Sequence, residues 1–520
     1  MITARVDAAE LTPAWEAAVG RLASADVVRR LWEGDHLVIQ DDPTECADRL
    51  GWLRAPEDAA AHWPRWALSA DEAVEGAADR SPGLEHVLVL GMGGSSLFPE
   101  VLSRTFERGE GFPELGILDT TDPDAVRRTL DRCDPDTTLV VVSSKSGSTI
   151  ETRSHLELFW ARSPLGPHFV AVTDPGSGLE SLASERGFRQ VAHGNPDIGG
   201  RFSALSAFGM VPAALMGLDA TALLDTAAEA SELLGAETPV EDHLGAQLGA
   251  LMAVAAGAGR DKLTLHLDER FEAFGGWLEQ LIAESTGKHG VGILPVLGEG
   301  PGAPDPDVRL HVLLGDTGID PSTLGGPWVH LPVEEPEDLG AQIVLWEWAT
   351  TLAGVVMGIN PFDQPDVESA KRAARALLEG SVDAGGRSTA EPVTSGVEQA
   401  LALLRPGDAL VLAAFVDPAL EPQLQASRRV LGDRAGVATT LGIGPRFLHS
   451  TGQLHKGGAD RQVVVQVVRP DGGEDVGVPD VPFTFGQLLR AQADGDLAAL
   501  ADAGKRAVRV PLDVLLELGA

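Results

Sequence analysis

Short apolar runs alternate with amphipathic stretches along most of the chain. HVLVL (86–90), GILD (116–119), TLVVVSS (138–144) and HFVAVTD (168–174) read as strands. A helical stretch from Leu97 and helices over 123–132 and 150–161 fill the gaps. Strand–helix alternation predicts βαβ units and a parallel sheet, and uninterrupted apolar strands suit a sheet covered on both faces. A second series holds KLTLHL (262–267), a helix over 269–285, GILPV (292–296), RLHVLL (309–314) and WVHLPV (328–333). Helices at about 337–358 and 366–379 follow. The polar, Gly-rich stretch 379–396 predicts a linker. Beyond it, DALVLAAF (408–415), a helix, GVATTL (436–441), RQVVVQVV (461–468) and a helix over 484–503 predict a small third α/β unit. Residues 11–80 and 199–259 read as helices, with Trp15, Trp32, Trp52, Trp63 and Trp66 as packing anchors. The expected division is N-terminal helices (1–80), two α/β domains (81–225 and 226–380) and a C-terminal α/β domain (397–520).

Composition narrows the function. A chain of 520 residues exceeds one ordinary core. No apolar run is expected to reach the roughly 18 to 20 residues that span a bilayer. The first residues lack the apolar region of a secretory signal. Cys46 and Cys133 form no metal or disulfide pattern. The expectation is a soluble cytoplasmic protein with no membrane partner. Seventy-seven acids against forty bases give a net charge of −37, which repels nucleic acid and anionic lipid. An anionic ligand therefore needs a local cationic or dipolar site. Lysine is scarce, so each one stands out: Lys145, Lys262, Lys288, Lys371, Lys456 and Lys505.

Five segments carry candidate chemistry. Gly91-Met92-Gly93-Gly94-Ser95-Ser96 lies between a strand and a helix, where glycines and free N–H groups can hold an anion. A dinucleotide loop fails on spacing, because position 96 is Ser. A plain turn with Ser95 as N-cap stays open. Ser143-Ser144-Lys145-Ser146-Gly147-Ser148-Thr149 repeats the placement with hydroxyls and one Lys, and is not a P-loop. Two such loops converge at one sheet edge, which favours a monophosphate over a flexible Ser/Gly loop. Gly199-Gly200-Arg201-Phe202-Ser203 offers Arg201 to an oxyanion or to a surface acid. On the 269–285 helix, Phe274, Trp277, Leu281 and Glu284 share a face. Burial and the helix C-terminus both work against the Glu284 charge, which suits a general base; a frayed helix end capped by Gly287 is the alternative. Finally, Lys371 falls on an apolar helix face after Asn360-Pro361-Phe362-Asp363-Gln364-Pro365, as a snorkelling or a catalytic cation.

In this order, GMGGSSLFP, SSKSGSTIET, GGRFS, AESTGK and INPFDQPDVESAK resemble the motifs of the phosphoglucose isomerase family over about residues 85–375. FLHSTGQLHKGG is similar to the isomerase half of fused transaldolase/isomerase proteins. The resemblance implies two SIS-type parallel-sheet domains flanked by helices, plus a smaller C-terminal α/β unit. It implies interconversion of glucose 6-phosphate and fructose 6-phosphate through a cis-enediol, without metal or other cofactor. A dual phosphoglucose/phosphomannose isomerase and a non-catalytic SIS-type sugar-phosphate sensor are the alternatives. By the same resemblance Ser95, Ser144, Ser146 and Thr149 hold the phosphate, with Lys145 and Arg201 adding positive charge. Glu284 is the base, Glu151 assists ring opening and Lys371 acts on ring or hydroxyl oxygens. The family's GTNGQH motif, whose histidine opens the ring and comes from a neighbouring subunit, is missing from its usual interval. His311 and His330 in that interval sit in apolar strands and read as structural. Thr451-Gly452-Gln453-Leu454-His455-Lys456 is the nearest similar string. The expectation is that His455, or less favourably His449, serves the same chain, so that a monomer or a homodimer is active.

Overall fold

The computed structural model describes residues 2–78, 83–366, 396–469 and 474–519. Fourteen strands among them form three sheets. The first comprises β2 (His86–Leu90), β3 (Glu114–Leu118), β4 (Thr138–Ser143), β5 (Phe169–Thr173) and β6 (Gln190–His193), all parallel, in the order β3-β2-β4-β5-β6. The second has β7 (Lys262–Leu267), β8 (Leu294–Leu297), β9 (Arg309–Leu314) and β10 (Trp328–Leu331) in parallel. β1 (Arg5–Asp7) adds to its β10 edge antiparallel. The third is β12 (Ala438–Ile443), β11 (Ala409–Phe415), β13 (Gln462–Val468) and β14 (Arg506–Pro511), again parallel. The chain is thus α/β with parallel sheets flanked by helices, as its strand–helix alternation predicts. β1 and β6 escape that pattern because each is short and half exposed, and β14 because Arg506 and Arg509 interrupt its apolar run.

One core spans one face of the first sheet, one face of the second and the helices between them. All five N-terminal tryptophans, Trp66 included, lie in this core or pack against it. Trp52 stacks edge-on against Trp348 and tilts over Phe202, Trp32 lies 6.2 Å from Trp348, and Trp15 Nε1 donates to the Gln247 carbonyl. Trp63 is buried in the same core. The expectation about apolar runs needs correction. Pro336–Met357 is long and apolar enough to span a bilayer by composition. It packs against helices Thr221–Leu233 and Leu244–Gly257, and 83% of its apolar window is buried inside the protein. A helix apolar on every side is what a central core position demands. The helix expected at 366–379 and most of the 379–396 linker lie outside the described residues.

The third sheet is not a loose appendage. Val478 and Phe485 complete the outer core of the first sheet. Arg128 makes two 2.6 Å bonds to Asp417, and Arg469 reaches Asp122 at 2.8 Å and Asp124 at 2.9 Å. On the other side, buried Arg428 donates to the carbonyls of Leu297 and Gly298. The unit is wedged against both larger sheets.

Candidate active site

β2 and β4 are in register, Leu90 against Val142, so their loops leave one sheet edge side by side. In the second loop Ser144 is buried. Its Oγ accepts from the Gly147 amide at 3.1 Å and lies 3.3 Å from Thr149 Oγ1. Gly147 has φ +69°, and a Cβ there would run into the backbone of Leu179. Thr149 caps helix Ile150–Arg162 by position but makes no side-chain cap bond, so its hydroxyl turns to Ser144. Ser146 is exposed and pairs with Ser148 at 2.8 Å. Ser95 is half-buried in the short turn Gly93–Ser95. Lys145 points elsewhere. Its Nζ lies 2.5 Å from Asp174 Oδ2 and 3.1 Å from the Pro196 carbonyl, so its charge is largely committed within the loop region.

The arginine segment packs directly on the first loop. Gly94 has no room for a side chain against the Gly200 carbonyl. Arg201 is buried, and four partners fix its guanidinium. Nη1 lies 3.1 Å from Glu284 Oε1, Nε donates to Ser285 Oγ at 2.8 Å, and Nη2 donates to the carbonyls of Pro361 and Asp363 at 2.6 and 3.1 Å. Glu284 is 7% exposed near the end of helix Phe274–Thr286, beyond buried Phe274, Trp277 and Leu281. Its charge is not left bare. Arg201 meets one oxygen, and Gln280 Nε2 donates to the other at 3.1 Å. Lys288 closes the same corner, with Nζ 2.6 Å from the Asp363 carbonyl and 2.7 Å from its Oδ1. Burial, then the nearby Arg201 charge, pulls the Lys288 ammonium down to about 8.

The third unit supplies the opposite wall. Arg446 bridges Glu100 and Asp119 of the first unit, with Nε 3.1 Å from Asp119 Oδ2. Burial raises Asp119 to about 6, and burial lowers Arg446 to about 10. At the end of the turn Arg446–His449, the His449 carbonyl accepts from Gln280 Nε2 at 2.8 Å. His449 Nε2 lies 2.9 Å from Glu151 Oε1, and Glu151 is buried. His449 therefore joins Glu151 to the Gln280–Glu284 pair. His455 does not. It lies on helix Gly452–Gly457 with its ring 5.7 Å from Phe447 and its Nε2 buried without a hydrogen-bond partner among the described residues. Burial, then Lys456, lowers it to about 3. The reason is helical geometry. Gln453 faces the site, donating to the Gly287 carbonyl at 2.9 Å and Asp366 Oδ2 at 2.6 Å. A residue two positions on is turned by about 200° and faces the third unit's own interior.

The structure thus gathers Ser144, Thr149, Glu151, Arg201, Glu284 and His449 from segments far apart in sequence, and turns Lys145 and His455 away. Lys371 lies outside the described residues. Sequence reasoning notes Lys288 only as one of the rare lysines and gives neither it nor Gln280 a role in the site. Lys288 has a usable signal, being a rare lysine just beyond the helix that carries Glu284. A glutamine within an amphipathic helix carries none.

The phosphoglucose isomerase family model matches residues 73–293. A glucose-6-phosphate isomerase of Synechococcus sp. (strain JA-2-3B'a(2-13)) is 32% identical, the match covering 63% of this chain and 74% of the relative. A glucose-6-phosphate isomerase of Thermus thermophilus is 30% identical over 65% of this chain and 92% of its own. Among solved structures, a hypothetical protein from Thermus thermophilus superposes with a TM-score of 0.59 at 27% identity, covering 73% of this chain and 100% of that one. A glucose-6-phosphate isomerase from Chlamydia trachomatis shares the fold with a TM-score of 0.57 at 21% identity, over 71% of this chain and 86% of its own. With the hydroxyl loops, the Arg201–Glu284 pair and this likeness in sequence agreeing, the chain belongs to the phosphoglucose isomerase family.

Proposed function

We infer that this chain is an aldose–ketose isomerase interconverting glucose 6-phosphate and fructose 6-phosphate. One observation carries the reading. A buried carboxylate, Glu284, is held between a guanidinium and an amide beside two hydroxyl-bearing loops at a parallel-sheet edge. A non-catalytic sugar-phosphate sensor needs the loops but has no use for a carboxylate so held.

The sugar phosphate rests on Ser95, Ser144, Ser146 and Thr149. Lys145 contributes less than a free lysine, since Asp174 shares its charge. Glu284 takes the C2 proton of the open-chain aldose, and the electron pair moves to O1 as the enediolate forms. The proton returns to C1 with transfer between the two hydroxyl oxygens, which yields the ketose. The Arg201 guanidinium, already fixed by Ser285 and two carbonyls, stabilises the negative oxygen without reorganising. Before this the ring must open. The His449 ring, steadied by Glu151, takes the anomeric hydroxyl proton and hands it to the ring oxygen as the bond from C1 to that oxygen breaks. Both groups belong to one chain, so a single copy holds a complete site, as a monomer or within a homodimer.

Turnover of fructose 6-phosphate, followed with an NADP-linked glucose-6-phosphate dehydrogenase, tests the reading. Absence of turnover overturns it. The same preparation given mannose 6-phosphate decides whether the enzyme also takes the C2 epimer.

A further inference from the structure

Helix Phe485–Asp502 of the third unit sends one side chain toward the site. Gln492 is buried. Its Nε2 donates to Glu151 Oε1 at 2.7 Å, and its Oε1 accepts from Thr121 Oγ1 at 2.8 Å. Thr121 is fully buried in the loop after β3, next to the helix cap Asp122. The oxygen that Gln492 contacts is the one that meets His449 Nε2 at 2.9 Å. A continuous chain therefore runs from Thr121 through Gln492 and Glu151 to His449, crossing three times between the first and third units.

The chemistry of each link sets a direction. The Thr121 hydroxyl donates to the amide oxygen, which turns the amide N–H toward Glu151. A neutral amide can donate but carries no charge, so it orients the carboxylate without competing for the His449 proton. A carboxylate held as an acceptor favours the N–H on His449 Nε2 and leaves Nδ1 to face the sugar. Without the amide, Glu151 Oε1 loses one of the donors that the described residues bring to it, and its rotamer loosens.

We propose that Gln492 is a positioning residue for ring opening, acting through Glu151 on His449 and not touching the sugar. The proposal rests on the reading of His449 given above. It also gives the third unit a second part in the reaction: one of its segments carries the histidine, and another aims it.

The test compares a substrate that must open with one that cannot close. 5-Deoxyfructose 6-phosphate lacks the hydroxyl that forms the furanose ring, so exchange of its C1 proton with deuterated solvent reports Glu284 chemistry alone. Gln492→Leu, close in volume, is expected to lower kcat on fructose 6-phosphate about 10-fold, the scale of a misplaced catalytic group. KM should change less than about 2-fold, and exchange on the deoxy sugar should be unchanged. Thr121→Val, which frees the amide to rotate, should give a smaller loss with the same signature. Wild-type kcat on the cyclic sugar would overturn the proposal, as would a parallel fall in proton exchange, which marks a merely structural role. His449→Ala is measured beside them. If it loses ring-dependent turnover while Gln492→Leu does not, only the Gln492 inference fails. If His449→Ala itself turns over the cyclic sugar normally, the reading of His449 fails first.

Discussion

The two larger sheets are built alike but offer opposite edges to the site. The first presents the carboxyl ends of β2 and β4, where loops rich in Gly and Ser emerge. That is where open parallel sheets usually bind ligands. The second sheet breaks the habit. Helix Phe274–Thr286 follows β7 and runs back beside it, so Glu284 lies at the amino end of the sheet. The Ile293 amide, just before β8, bonds to Thr286 Oγ1 at 3.0 Å and marks that edge. One edge supplies hydroxyls that range from buried Ser144 to exposed Ser146, together with backbone amides, which suit binding. The other supplies a carboxylate fixed by buried partners, which suits proton transfer. In the proposed mechanism, binding and chemistry divide between two copies of one architecture, with the third unit closing the gap.

The largest test of this division removes the base. Glu284→Gln should cut turnover by about 10² or more, the usual scale for loss of a general base, while sugar-phosphate binding persists. The side chains are nearly isosteric, so the melting temperature should hardly move. Near-normal turnover would take the reacting edge out of the mechanism. Arg201→Lys should follow closely, since an ammonium cannot serve Glu284, Ser285 and two carbonyls at once.

The third unit gives the next effect in size. His449→Ala should slow the cyclic sugar by about 10-fold or more, whereas His455→Ala should leave turnover of that sugar nearly unchanged. Loss of activity in His455→Ala at unchanged stability would reverse the assignment of the two rings. A smaller effect belongs to the binding edge. Thr149→Val removes one donor to a charged phosphate, about 1.5 kcal/mol, and should raise KM roughly 10-fold with kcat little changed. An equal fall in kcat would mean that this edge takes part in the reaction and is not only an anchor.

How far the sequence foretells this varies with the kind of residue. Ser144, Thr149 and Arg201 are legible because glycines and hydroxyls at strand ends have few structural uses. Glu284 is legible because a carboxylate on an apolar helical face breaks the period. What the sequence cannot show is that Arg201 pairs with its charge and Gln280 donates to its second oxygen, since that depends on how separate segments and side chains meet in the fold. His455 draws attention through a string similar to a family motif. The choice between it and His449 depends on where the turn Arg446–His449 gives way to helix Gly452–Gly457, and the residues themselves do not announce that boundary. Gln492 is invisible because its partners, Thr121 and Glu151, lie 371 and 341 residues away along the chain.

The smallest effect concerns a part of the second sheet that should not affect catalysis at all. His266 on β7 and His311 on β9 stack with ring centroids 5.3 Å apart, and His266 Nε2 lies 3.1 Å from His311 Nδ1. That contact needs at least one ring nitrogen unprotonated. Burial first, then the Arg309 charge for His266 and the charges of His266 and Arg309 for His311, holds both rings well below the ordinary histidine range. The unfolded chain then binds more protons than the folded one at every pH from about 6.5 down to the depressed values. The pair's contribution to stability is therefore full above about pH 7 and falls on acidification, by up to about 1.4 kcal/mol per pH unit for each ring that stays neutral. His311→Gln keeps a polar group in the strand but has no proton to gain. Urea unfolding at about pH 7.5 and about pH 5.5 should show a shallower loss of stability in the variant than in the parent protein. Turnover at the higher pH should be equal in the two. A parallel pH slope would show that other buried groups set the acid sensitivity, and a fall in turnover would tie this stripe of the second sheet to the reacting edge.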